Sequence, residues 1–223
     1  MSVPSFLAQY ISEYSLRGIK MTANALRAST EIRRDQIAQA ALRLIAQKGM
    51  GGLTTASIAE EAGISEANIY RHFTSKAEIL AVTVERVGEG MKRNIANVLR
   101  ISSTDSPLIQ LKRAFMLHLD YIEKNEGIPR LVFSDEIHLG NEELKQKLLQ
   151  AISSYSAALE ALIKEGQKAG LIKKDISSKM SAVMLIGMVQ VTVLRWSLSG
   201  FSFPLVTEGM KLWKNYEKCI RVR

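Results

Sequence analysis

Apolar residues recur every three or four positions along most of the chain, and the stripes they draw predict a succession of amphipathic helices. Thr30 caps the first, which runs to Lys48 with Ile37, Ala41, Leu44 and Ile45 on one side and Gly49 at its end. Thr54 or Thr55 caps a second helix whose Ile58, Ala59 and Ala62 form the apolar stripe, and Gly63 stops it. Ser65 caps a third, which points Ile69 and Phe73 inward at i and i+4. Ser75 and Glu78 make a capping box for a long helix through Ile79, Leu80, Val84, Val87, Met91, Ile95, Val98 and Leu99. After a break at Ser103 to Pro107, Ser106-Pro107 opens a helix striped by Leu108, Leu111, Phe115, Leu119 and Ile122, which Glu126-Gly127 ends.

A short helix is expected from about Pro129 to Leu139. Asn141 then caps a long one carrying Leu144, Leu148, Ile152, Tyr155, Leu159, Leu162 and Ile163 as far as Gly170. Two more run from about Ser177 to Ser199 and from about Pro204 to Ile220, separated by Gly200 and Pro204. No stretch alternates as a strand would, and no repeat is visible, so the fold class is all-α. The penultimate helix is apolar nearly all round, from Ala182 through Leu194, and such a helix must be covered on every side. With Leu212, Trp213, Tyr216 and Ile220 on the last helix, this predicts a four-helix homodimer interface through the last two helices.

The second and third helices, in the run TTASIAEEAGISEANIYRHFTSK, are joined by an Ala-Gly-Ile-Ser turn, the spacing of a helix-turn-helix. From about Thr30 to Leu80 the chain resembles the tetracycline-repressor (TetR) family of transcriptional regulators, with Ile58-Ala59, Gly63, Ser65, Tyr70, Phe73 and Lys76 at the family's spacing. The resemblance implies a helix-turn-helix DNA-binding domain over residues 29–75 and a helical effector-binding and dimerisation domain over 76–223. It also implies that the long fourth helix joins the two and swings when effector binds, and that Arg33 and Arg34 lie near the DNA backbone. A dimer would set two recognition helices roughly 34 Å apart, or a multiple, on a palindromic operator.

On that helix the chemistry divides into positioning and reading. Ser65, Tyr70, His72 and Lys76, with Thr54 or Thr55, are the phosphate donors; Asn68 suits adenine, Arg71 suits guanine, and Ala67 meets a thymine methyl. Glu66 departs from the family's usual basic residue, and is expected to accept from cytosine or to interact with its own helix N-terminus.

Composition adds little to this. The formal charge is +8, but residues 1–80 hold 9 Lys/Arg against 7 Asp/Glu, whereas residues 81–223 hold 21 against 15. The DNA argument therefore rests on the motif and not on bulk charge. One cysteine, Cys219, excludes an internal disulfide framework and suits the bacterial cytosol, with the protein on nucleoid DNA. The charge-free run Met180 to Leu194 is shorter than a membrane span requires, so no membrane partner is expected. Residues 1–28 form an N-terminal extension, read as mobile or, with Met21 as the true start, absent from the native chain; the alternative is a helix or basic arm using Arg17, Lys20 and Arg27.

For a small-molecule effector pocket, the C-terminal helices offer Phe115, Met116, His118, Leu119, Tyr121, Phe133, Met184, Met188 and Trp196, with Arg195 facing an anionic ligand or pairing with Glu136. Glu136 and His138 are spaced wrongly for a helical metal pair, so no metal or other cofactor is called for. No phosphate loop, serine elbow or His-Glu-x-x-His marks an enzyme. The reading is a sequence-specific regulator, a repressor released by an effector. The alternative is an architectural or nucleoid-occlusion type of DNA-binding factor that acts through a protein partner.

Overall fold

Local capping chemistry sets where each helix begins in the computed structural model, which describes residues 30–101, 104–140 and 142–222. Helix α1 covers 30–48 and buries Ile37, Ala41, Leu44 and Ile45. After a 3-10 turn at Met50–Gly52 come α2 (Thr55–Ala62) and α3 (Glu66–Tyr70). Thr54 caps α2 by accepting from the Ser57 N–H at 3.0 Å, while Ser57 Oγ accepts from the Thr54 N–H at 2.9 Å. Gly63 ends α2 at φ 67°, a left-handed value that a side chain would strain. Helix α4 (Lys76–Ile101) buries Ile79, Leu80, Val84, Met91, Ile95 and Val98, whereas Leu99 faces out.

Helices α5 (Pro107–Glu123), α6 (Gly127–Val132), α7 (Glu142–Lys168), α8 (Ser178–Leu198) and α9 (Leu205–Ile220) complete the second layer. There α7 packs against α4, α5 and α8, and α9 closes on α5 and α8. The expected helix from Pro129 to Leu139 is broken in two. Ser134 turns its hydroxyl back onto the Leu131 carbonyl at 2.7 Å, and the chain resumes as a separate π-helical turn at Glu136–Gly140. Among the described residues the nearest approach to a strand is one bridge between Ile172 and Arg221. The readings made for residues 1–28 and for Asn141 lie outside the described residues.

The two layers meet through specific joints. Arg86 of α4 pairs with Asp35 and, at 3.4 Å, with Glu31 of α1. Gly127 lies so close to α1 that a Cβ there would stand 2.2 Å from the Leu42 carbonyl oxygen, an approach that needs glycine.

The last two helices differ from expectation in how they share the apolar surface. Trp213, Tyr216 and Ile220 of α9 are buried within their own subunit, Trp213 against Phe115 at 5.9 Å and Tyr216 donating to the Ser181 carbonyl at 2.8 Å. The outward residues of α9 include Lys211, Lys214 and Lys218. On α8, by contrast, Met180, Val183, Met184, Val191, Leu194 and Leu198 are exposed, Leu198 to 79%. By length and composition α8 is apolar enough to cross a membrane, but its opposite face is core, with Leu185, Val189, Val193 and Trp196 buried. The outward residues repeat at three and four, the spacing of a helix seam. For a homodimer paired through this face, Val191→Asp is expected to shift sedimentation equilibrium from dimer to monomer while circular dichroism keeps the helix content; an unchanged mass would rule out pairing through α8.

Candidate nucleic-acid interface and effector cavity

Helix α3 is only five residues long, and its placement comes from anchors on both sides. Ser65 Oγ accepts from the Asn68 N–H at 3.2 Å, Ile69 is fully buried, and Phe73 is buried although the helix ends at Tyr70. This leaves Glu66, Ala67, Tyr70 and Arg71 exposed on one side, with Asn68 half-buried beside them. Lys76 is exposed at the start of α4, and Arg33 is half-buried on α1.

Several expected contact residues already have partners inside the protein. The Thr55 hydroxyl donates to Glu66 at 2.5 Å and lies 3.3 Å from the Tyr70 hydroxyl. Glu66 thus ties the first turn of α3 to the first turn of α2, and as the acidic residue in the first turn of α3 it also stands at its own helix N-terminus, the second of the two places expected for it. Thr54 is taken up by its capping box. Arg34, expected beside phosphate, forms a clamp instead. Its guanidinium pairs with Glu78 at 2.9 Å, donates to the His72 carbonyl and lies 4.2 Å from the centre of the Phe73 ring.

The other Glu78 oxygen accepts from the Thr74 N–H at 2.7 Å and the Thr74 hydroxyl at 2.9 Å. The expected capping box is therefore shifted, with Glu78 N–H bonded to Ser75 Oγ but its carboxylate on Thr74. The Thr74 backbone bond is the main cause holding the Glu78 carboxyl below its ordinary range, assisted by Arg34.

His72, expected as a phosphate donor, is half-buried with Nδ1 unpartnered. Burial, then the charges of Arg33, Arg71 and Arg34, lower its pKa. Arg33 and Arg71 set positive charge beside α3, whereas the charge of Arg34 is met by Glu78.

Below this unit a cavity of about 110 Å³ opens between α4, α5, α6, α7 and α8. Of the expected pocket residues, His118 and Phe133 line it. Phe115 and Leu119 are instead buried core under α9, and Trp196 is buried against Phe201 at 4.7 Å. Met184 is on the exposed face of α8, and Met188 packs on the core without reaching the cavity. Arg195 is exposed, Glu136 is half-buried away from the lining, and no ion pair joins them among the described residues. Sequence reasoning took Val84, Val87 and Met91 of α4 for plain core, although they wall the cavity. Periodicity carries no signal that separates the two roles.

Burial pushes His118 down to about 4 from an ordinary 6.5. Between those values the unfolded chain binds a proton that the folded chain refuses. The His118 contribution to stability is therefore fully present above pH 6.5 and is lost as pH falls toward 4. Urea titrations across this window are expected to lose stability less steeply for His118→Phe than for the parent chain; equal slopes would contradict the burial.

Comparison with known proteins agrees with this geometry. Residues 37–83 match the family described as "Bacterial regulatory proteins, tetR family", and residues 85–215 match "YsiA-like protein, C-terminal region". The nucleoid occlusion factor SlmA of Vibrio vulnificus (strain YJ016) is 26% identical over 182 residues, spanning 81% of this chain and 92% of that protein. Among solved structures, the transcriptional regulator FadR of Bacillus subtilis in complex with stearoyl-CoA superposes with a TM-score of 0.69 at 23% identity, over 81% of this chain and 96% of its own. A putative transcriptional regulator of Saccharomonospora viridis in complex with choline superposes at 0.71 and 24% identity, over 85% and 98%. With an N-terminal helix-turn-helix match, and a C-terminal match that covers more than half of its length, the chain belongs to the TetR family of bacterial transcriptional regulators.

Proposed function

We propose that this regulator is a homodimeric repressor that holds a palindromic operator and releases it when a small apolar effector fills the cavity. The observation that carries the proposal is that α4 and α6 wall the cavity and also hold the DNA-binding unit. Val84, Val87 and Met91 of α4 face the cavity, while Glu78 and Arg86 of the same helix grip α1. Ile128, Pro129 and Leu131 of α6 face the cavity, while the flanking Gly127 abuts Leu42 and Arg130 donates to the Ala46 carbonyl of α1. Arg130 also lies 5.2 Å from the centre of the Phe201 ring, at the turn between α8 and α9. A ligand that displaces either wall must move the recognition helix relative to the dimer seam, and differential affinity for the two arrangements is what makes an effector.

Similar folds hold ligands as different as stearoyl-CoA and choline, so the fold alone does not select a ligand. The likeness to SlmA supports a second reading, a nucleoid-occlusion factor whose output is a protein partner. Mapping bound DNA across the genome separates the two: a few palindromes beside genes support repression in the bacterial cytosol, whereas many dispersed sites support occlusion.

On a palindrome so found, Asn68→Ala and Arg71→Ala are each expected to cost about 1–3 kcal/mol of binding and to relax the preference at one base position per half-site. Lys76→Ala is expected to weaken all sequences alike and to flatten the salt dependence. Fluorescence anisotropy at several salt concentrations reads both effects. Unchanged affinity for Asn68→Ala and Arg71→Ala would remove α3 from the reading surface.

A further inference from the structure

The cavity walls constrain what the effector is, and this step rests on the effector reading above. None of the lining side chains is Asp, Glu, Lys or Arg. The polar side chains there are His118, Tyr155 and Gln190. The Tyr155 hydroxyl already donates to the Ala114 carbonyl at 3.4 Å, and burial drives its phenol well above the ordinary range. Gln190 is solvent-exposed on α8. His118 stands edge-on to the Tyr155 ring at 4.8 Å and has no hydrogen-bond partner among the described residues; burial alone acts on it. Arg195, the cation closest in sequence to the cavity-lining part of α8, is on its exposed side.

We infer that the buried part of the effector is an uncharged aliphatic group with a single neutral oxygen, as in an ester, ketone or alcohol, and that His118 is the residue that hydrogen-bonds it. A free carboxylate inside this wall would find no cation. A buried charge without a partner neutralises instead, so an acid must take up a proton to enter. The imidazole, neutral at physiological pH, donates from one ring nitrogen and accepts at the other, which suits a neutral oxygen of either polarity.

The test is calorimetric titration of the full chain with methyl hexanoate, hexanoate and toluene at pH 6, 7 and 8. Methyl hexanoate is expected to bind equally at the three values, while hexanoate weakens about tenfold per pH unit because its binding consumes a proton. His118→Phe is expected to weaken methyl hexanoate about three- to tenfold and to leave toluene unchanged, with His118→Gln restoring the ester. Hexanoate binding equally well at pH 6 and 8, or an ester indifferent to His118→Phe, overturns the inference and leaves the effector reading standing. If none of the three probes binds, the effector reading itself falls.

Discussion

Arg34 makes the contact on which the rest of this molecule depends. A helix of five residues cannot hold its own shape in water, so α3 presents a defined surface only because its two ends are tied down. At the far end the tie is one guanidinium, which covers Phe73, bonds the His72 carbonyl and pairs with Glu78 at the start of α4. Arginine suits this site because its planar fork serves a ring face, a carbonyl and a carboxylate together, which a lysine ammonium cannot do. At the near end Thr55 donates to Glu66 and also meets the Tyr70 hydroxyl. The acid that would weaken attraction to phosphate is thus explained by what it fastens inside the protein.

The clamp also fastens the DNA-binding unit to α4. The same helix turns aliphatic residues to the cavity two turns further on, and α6 repeats the arrangement through Arg130 and Gly127. Two independent attachments at different heights on α1 make its orientation sensitive to the separation of α4 and α6, the two walls that a ligand would part. Packed interfaces of this kind shift between discrete arrangements and do not deform smoothly, which suits a switch.

Much of the fold was legible because helix starts and stripes are local. Thr54, Gly63, Ser65 and Ser177 act at the ends where their chemistry placed them, and the α5 stripe is buried from Leu108 to Ile122. What escaped was long-range or was decided by competition between partners. Arg34 and Glu78 are 44 positions apart, so nothing in the local pattern linked them. Trp213 and Tyr216 face inward because α5 and α8 already offered them a core, leaving α8 with the exposed apolar face. The cavity was misplaced for a related reason: core and pocket residues share one composition, and only the packing tells Phe115 from Phe133.

The central claim is that the Arg34–Glu78 clamp, and not a phosphate contact by Arg34, sets the DNA-bound geometry. A double-mutant cycle with Arg34→Met and Glu78→Gln, read as operator affinity against salt, tests it directly. If the clamp acts as stated, both single variants weaken binding, the double variant is little worse than either, and the coupling is about 0.5–3 kcal/mol with the salt slope unchanged. Full affinity for Glu78→Gln, with a shallower salt slope for Arg34→Met, would show Arg34 bound to phosphate and contradict the account.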